Sequence, residues 1–328
     1  MDTIILACAC NDAYSPYCGT MITSVFCNNR EERFEVNILT SDIGEENIKK
    51  FEELASEYDQ VINIIYVNPD QFKGVPLRSG NSNLTKECYY RLLLPEILPD
   101  TSKVLYLDCD LIIRTHLREL WETNLDGCAF ACVKDRKDIV EERVKTLGYN
   151  QRDSYFNSGV VLMNLDFLRD FSFSEKAFSF ISNKSHLLKY VDQCVINAVC
   201  HGYFKELPIK WNMTVPYFME LPLVVEEQRD NLELYISNPS IIHFTTEYKP
   251  WFKECNHPYK SEYWKYQRLS PWHDHPIQEF HGFTKLSQHY AKTTIKWILG
   301  KLGDKRYVWR DLTLDDNSYP NMGERSHE

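Results

Sequence analysis

The chain has 328 residues, 43% hydrophobic and 26% charged, ordinary globular values with enough material for one large domain or one domain with an appendage. A net charge of −10 argues against nucleic acid as a partner, because such binding rests on neutralising phosphates. The eleven cysteines form no C-x-x-C pair, and several (Cys8, Cys10, Cys128, Cys132, Cys200) sit inside apolar runs, which argues against a disulfide framework or zinc site and for small core hydrophobes.

No apolar run reaches membrane-spanning length, and Met1-Asp2-Thr3 leads into a strand-like segment without a basic leader, so a cytoplasmic protein is expected. Thr3–Cys10 (TIILACAC) predicts a strand buried on both faces. It breaks at Asn11-Asp12-Ala13-Tyr14 before a helix marked by Tyr17, Met21, Ile22, Val25 and Phe26. Val36–Thr40 is the next strand, Glu45–Tyr58 a helix with an acidic first turn, and Val61–Val67 a third strand. This βαβαβ half is how nucleotide-binding α/β domains begin, yet no glycine-rich fingerprint marks a dinucleotide or P-loop site. Phe72–Asn83, with Gly74, Pro76 and Gly80, predicts a loop able to cover a site. Thr85–Leu94 predicts a helix ended by Pro95 and carrying Arg91, either a surface arginine or one that holds a ligand oxygen.

Lys103–Ile113, KVLYLDCDLII, organises the rest. Its apolar run shows no alternation, as in a strand buried within a mainly parallel sheet, and it ends abruptly at Asp108-Cys109-Asp110. Carboxylates at i and i+2 of an extended segment face the same side, with no cation between them. Burying such a pair costs several kcal/mol unless a cation binds, and a divalent metal with oxygen ligands is the usual solution. A solvated strand end is the other reading of this stretch taken alone.

Leu117–Thr123, a strand at Cys128–Val133 and a charged helix near Asp138–Leu147 follow. In Tyr155–Leu165, YFNSGVVLMNL, the residues Asn157, Ser158 and Gly159 interrupt an apolar strand, which signals a bulge or a close backbone approach. A helix starts at Asp166, another opens at Tyr190-Val191-Asp192-Gln193, where Asp192 is a cap by default, and Phe204–Ile209 and Ser240–Phe244 are further strands. Beyond Trp251 the composition shifts to His257, His273, His275, His281 and His289 among Tyr and Trp, spaced like no compact metal site. Lys285–Arg306 predicts a basic amphipathic helix, either a membrane-surface element or a packed terminal helix with a solvated face, and 307–328 a frayed tail.

NDAY after the first strand, LYLDCD, YFNSGVVLMNL, DQ and H-x5-KPW occur in that order over about three quarters of the chain, Thr3 to Trp251, and this combination resembles glycosyltransferase family 8. The resemblance implies a GT-A fold: a mixed, mainly parallel Rossmann-like α/β sheet flanked by helices, here over residues 1–251, with a small helical extension at 252–306. It also implies a nucleotide-sugar donor, UDP-galactose or UDP-glucose, a saccharide acceptor, Mn²⁺ or Mg²⁺, and retention of anomeric configuration. Asp108, Asp110 and His243 match the metal ligands, and carboxylates with one imidazole suit Mn²⁺. By the same match Lys249 binds phosphate, Ala9, Asn11 and Tyr14 contact base and ribose, Cys109 and Thr246 line the donor site, and Arg91, Asn157, Asp192 and Gln193 surround the donor sugar.

The resemblance also places Gln193 beneath the anomeric carbon, and a glutamine is a poor nucleophile, which favours front-face attack over a covalent intermediate. Three departures leave the donor's identity open: Cys194 where many members carry aspartate, Thr246 where bacterial relatives often have glycine, and Asn11 where bacterial galactosyltransferases often carry aspartate. The expected function is hexosyl transfer in lipopolysaccharide or other cell-surface glycan synthesis, with a lipid-linked acceptor suggested by the basic helix at 285–306. The alternatives are a catalytically silent sugar-nucleotide or glycan binder of the same fold, and a phosphohydrolase with Asp108 as nucleophile. The last lacks the second motif such enzymes carry, G-D-x-x-D.

Overall fold

The structure, a computed structural model, describes residues 2–79, 82–150, 154–279, 294–296, 298–303, 305, 308–310 and 312. Five elements open the chain: β1 (Ile4–Ala9), α1 (Ser15–Asn28), β2 (Phe34–Thr40), α2 (Glu45–Tyr58) and β3 (Val61–Tyr66). A two-residue hairpin, β4 (Arg78–Ser79) and β5 (Ser82–Asn83), precedes α3 (Leu94–Ile97), β6 (Lys103–Leu107) and β7 (Leu111–Ile113). Then come α4 (Arg118–Trp121), β8 (Phe130–Lys134), α5 (Lys137–Leu147) and β9 (Phe156–Asn164). Helices α6 (Leu165–Asp170), α7 (Phe173–Lys184) and α8 (Val191–Val199) follow, then β10 (Phe204–Glu206), β11 (Met213–Thr214), α9 (Leu232–Ser237), β12 (Ile241–His243) and α10 (Lys260–Leu269).

The main sheet has the order β10-β8-β9-β6-β1-β2-β3, parallel throughout except for β9, which runs antiparallel to both neighbours. This is the expected mixed, mainly parallel sheet. A second sheet, β11-β12-β7, takes over where β6 ends. The chain crosses from one sheet to the other at Asp108-Cys109-Asp110, and these residues form a turn rather than the end of a strand.

Local corrections to the sequence reading have simple causes. The segment carrying Arg91 is a 3₁₀ helix, Lys86–Leu93, and Pro95 starts the following turn instead of ending a helix, because a missing N–H costs nothing there. The strand expected at Phe204–Ile209 stops at Glu206, and Ile209–Trp211 is a 3₁₀ turn. The tip of the predicted 72–83 loop, His281, His289 and most of 285–306 and 307–328 lie outside the described residues.

Every residue of α1 is buried, although its apolar periodicity predicts one inward face. One side lies on the sheet and the other under α10, so its polar residues must bond internally. Thr20 and Thr23 donate to the Pro16 and Gly19 carbonyls at 2.8 Å each, and Asn28 donates to the Ile113 carbonyl and the Tyr266 hydroxyl. Tyr259, Tyr263, Tyr266 and Trp272 join the same core as β1, α1 and β6, so the chain after Trp251 packs against the sheet domain. His257 is buried among Phe218, Phe244 and Trp309.

Gly19 shows how tightly this layer is set. A Cβ there would lie 2.0 Å from the Trp272 ring. Alanine in a helix interior is intrinsically better than glycine by about 1 kcal/mol, but overpacking a rigid core typically costs 1–3 kcal/mol. The indole is also pinned by its bond to Asn47 Oδ1 at 2.7 Å, so it cannot retreat cheaply. Gly19→Ala is expected to lower stability by roughly 1–2 kcal/mol in urea unfolding, and a gain in stability would show that the layer yields.

Candidate active site

Two backbone pairings bring the candidate ligands together. Leu111 on β7 is the register partner of His243 on β12, and Phe244 N–H donates to the Asp110 carbonyl at 3.0 Å, which sets His243 beside Asp110. Asp108 N–H donates to the Gly159 carbonyl at 2.9 Å, which joins the same turn to β9. Donor atoms of Asp108, Asp110 and His243 consequently lie within 4.8 Å of one another. His243 Nε2 is 3.2 Å from Asp110 Oδ1 and 3.9 Å from Asp108 Oδ2.

A Cβ on Gly159 would come within 2.2 Å of His243 Cε1 and 2.9 Å of Asp108 Oδ2, so only glycine lets β9 back onto this cluster. The register between β8 and β9 passes from Cys132↔Val161 to Lys134↔Phe156, an irregularity that falls on Asn157, Ser158 and Gly159. Both readings of the interrupted strand therefore hold: it bulges, and it approaches closely. Two carboxylates and an imidazole, oxygen and nitrogen donors without thiolate, fit a hard or borderline divalent ion.

The buried charges neutralise one another. Arg91 is 3% exposed, contrary to the default of a surface arginine. Its Nη2 donates to Asp108 Oδ1 at 2.6 Å, its Nε lies 3.1 Å from Asp192 Oδ2, its Nη1 donates to the Ser158 carbonyl, and its guanidinium lies 4.0 Å over the Tyr106 ring. Lys249 donates to Asp110 Oδ2 and, at 2.7 Å, to the Phe244 carbonyl. The carboxyls separate in acidity. Burial raises Asp110, but Lys249 and His243 more than offset it and hold it below the usual range. Burial dominates at Asp108, which is raised despite Arg91. Asp192 is pushed up to about 6 by burial, with Arg91 opposing.

Asp192 and Gln193 stand at the start of α8, entered through Val191 with a φ of 38°, a left-handed conformation that β-branched residues avoid. Ser158 Oγ donates to Asp192 Oδ2 at 3.2 Å, so Asp192 belongs to the site and is no mere helix cap. Gln193 Oε1 accepts from Ser158 N–H at 3.2 Å, and its Nε2 donates to Asp135 Oδ2 at 2.8 Å.

The base-side candidates form a second group at the end of β1. Asn11 Oδ1 accepts from Tyr14 N–H, and Tyr14 stands edge-on to Tyr17 and Trp251, which stack on each other at 3.8 Å. Cys109 is turned away from the carboxylates, its thiol donating to the Ala9 carbonyl at 3.3 Å. Thr246 is half-buried on the loop between His243 and Lys249. Cys194 points into the core, where its sulfur meets the Tyr155 hydroxyl and the Tyr190 N–H, so this departure lies away from the carboxylate cluster.

Sequence reasoning missed Asn212 and Asp135, both buried. Asn212 Oδ1 lies 2.8 Å from His243 Nδ1, and its Nδ2 donates to Asn157 Oδ1 at 2.8 Å. Asp135 accepts from Arg136 N–H and Gln193, and its carboxyl is raised, chiefly by burial. The only signal for Asn212 was a polar residue between Trp211 and Met213, which caps and turns also produce, and Asp135 is hidden in the charged run Lys134–Asp138.

The family model for glycosyl transferase family 8 matches residues 5–255. The chain belongs to that family. It is a glycosyltransferase, and the phosphohydrolase reading falls with that membership. Among curated relatives, general stress protein A of Bacillus subtilis is 28% identical over 275 residues, covering 82% of this chain and 94% of its own. A lipopolysaccharide 1,2-glucosyltransferase of Escherichia coli is 27% identical over 296 residues, 89% of this chain and 86% of its own. Among solved structures, the galactosyltransferase LgtC in complex with donor and acceptor sugar analogues superposes with a TM-score of 0.73 at 24% identity, covering 81% of this chain and 96% of that one. The GT-A architecture is thereby established.

For this family 8 enzyme, Gly159→Ala would drive a methyl group into His243 and Asp108. A displacement of about 1 Å at reacting groups costs on the order of 100-fold, so turnover should fall by about that factor while circular dichroism stays native. Turnover within threefold of the parent would mean that the cluster tolerates a wider spacing.

Proposed function

We propose that this glycosyltransferase moves a hexose, galactose or glucose, from a UDP-sugar to a saccharide acceptor with retention of configuration, in the synthesis of lipopolysaccharide or another cell-surface glycan. The observation that carries the reading is the convergence of Asp108, Asp110 and His243 beside Arg91, Asp192 and Gln193. That the Escherichia coli relative is a glucosyltransferase and LgtC a galactosyltransferase supports hexosyl transfer. A catalytically silent binder is disfavoured, because every charged position of the site is present.

Asp108, Asp110 and His243 would hold Mn²⁺ or Mg²⁺, which supplies Lewis-acid neutralisation of charge on a departing nucleoside diphosphate. Lys249, already bonded to Asp110, adds a point charge for the same phosphates. Arg91 holds Asp108 and Asp192 together, and Asp192, oriented by Ser158 Oγ, accepts hydrogen bonds from donor-sugar hydroxyls. Asn157, at the bulge of β9, borders the same sugar. Ala9, Asn11 and Tyr14 receive the nucleoside, with the Tyr14 ring available to stack on uracil and Cys109 and Thr246 lining the donor site.

Both ends of the Gln193 amide are engaged, which supports a stabilising role over a nucleophilic one. In front-face transfer the acceptor oxygen bonds to the anomeric carbon as the bond to phosphate breaks, and the acceptor's proton passes to the leaving phosphate oxygen. Purified protein with Mn²⁺ and a panel of nucleotide sugars, without acceptor, is expected to release nucleoside diphosphate from one UDP-hexose, and Asp110→Asn to lose that release at least 100-fold. If no donor is hydrolysed and UDP binding shows no metal dependence, the UDP-hexose and metal assignments fall.

The catalytic unit is taken as 1–251 and the extension as 252–306, with 307–328 as a tail. No described helix is long and apolar enough to cross a membrane. Residues 294–296 and 298–301 are helical, and Ile295, Ile298 and Leu302 are 57%, 44% and 78% exposed at one-face spacing. This supports a peripheral contact of 285–306 with the inner membrane face, in a cytoplasmic enzyme acting on a lipid-linked acceptor. Truncation after residue 284 should abolish flotation with anionic vesicles; flotation equal to the full chain would overturn the membrane assignment.

A further inference from the structure

The orientation of the metal-facing histidine can be traced to a backbone proton. Gly159 N–H can only donate, and it meets the Asn157 side chain at 2.9 Å, so the atom it meets is the amide oxygen, Oδ1. That oxygen also receives a bond from Asn212 at 2.8 Å, so the Asn212 group facing it is the NH₂. The Asn212 group facing His243 Nδ1 is then the carbonyl oxygen, which can only accept. His243 Nδ1 must therefore carry the proton, which leaves Nε2, the nitrogen that faces Asp110, as the one placed to ligate a metal. No flip of either amide satisfies the three contacts together.

We propose that Asn212 is the positioning residue of the metal centre, relaying the N–H of Gly159 through Asn157 into the tautomer and ring orientation of His243. The assignment rests on the transferase reading above. Asn212 has no solvent exposure and lies on the link between Trp211 and β11, which pairs with β12 at Thr214↔His243. Its carbonyl thus approaches the imidazole from the strand that already sets His243 in place. Hydrogen bonds to the second nitrogen of a ligating histidine commonly govern metal affinity by 10–100-fold.

The same bulge fixes the other half of the site. Ser158 N–H meets Gln193 Oε1, which turns the Gln193 NH₂ toward Asp135. Two neighbouring backbone protons of β9 thereby set His243 and Gln193, each through its own buried polar contacts.

The test is Mn²⁺ titration by electron paramagnetic resonance on the full chain with UDP present, for the parent, Asn212→Leu and Asn212→Asp. Asn212→Leu keeps the size and removes both bonds; Asn212→Asp keeps an acceptor for the imidazole and gives up only the bond to Asn157. The expected result is a loss of Mn²⁺ affinity of at least tenfold in Asn212→Leu, rescue to within about threefold in Asn212→Asp, and a single Nδ1–H tautomer for His243 by nitrogen NMR in the parent alone and in the aspartate variant. Parent-like Mn²⁺ affinity in Asn212→Leu would overturn the proposal, as would equal losses in both folded variants, which would reduce Asn212 to a packing residue. A parent that binds no Mn²⁺ would instead overturn the metal assignment beneath it.

Discussion

Three carboxylates, Asp108, Asp110 and Asp192, are brought to one place where two sheets meet, and the surrounding structure is arranged to make that tolerable. Like charges at such separations in a low-dielectric setting cannot all stay ionised unless cations are held against them. Arg91 answers for two of them and Lys249 for the third. Neither cation is a loose surface group. Arg91 is clamped by a carbonyl and a tyrosine face, and Lys249 by the Phe244 carbonyl. Removing one partner from a buried pair typically costs 3–5 kcal/mol, because the remaining charge is stranded.

That constraint explains why the turn, the bulge and the small sheet all occur at one point. A continuous β6 would have carried Asp110 along the sheet and away from His243. Breaking it at Asp108 lets β7 pair with β12 instead, and the register of that pairing delivers the imidazole. The bulge in β9 then supplies backbone N–H groups to orient the side chains, and glycine at 159 gives the clearance.

The parts legible in the sequence were those with a repeating or local signature. The βαβαβ opening, the buried run ending in D-x-D and the interrupted strand around Asn157 each announced themselves through composition, and the motif order pointed to the family. The closure of the site did not. Antiparallel pairing of a three-residue β7 with a three-residue β12, far apart in the chain, leaves no periodicity to read. Arg91 looked like any helix-surface arginine, because nothing local says that its guanidinium turns inward. Full burial of α1 depended on α10 and Trp272, more than two hundred residues away in sequence, so its inward-facing stripe told only half of its environment. Asn212 and Asp135 act through bonds to other side chains, and a lone polar residue does not reveal its partner.

Val191 carries a consequence for how this enzyme can change. A buried valine at φ 38° holds a conformation that costs on the order of 1–3 kcal/mol, and it immediately precedes Asp192 and Gln193, the two side chains proposed to face the donor sugar. Glycine or asparagine would relax the backbone there and surrender the apolar contact, freeing the first turn of α8 to drift. Relief of backbone strain and placement of the two following side chains therefore pull in opposite directions at this residue. Among homologues adapted to different temperatures, position 191 is where that conflict should leave its record.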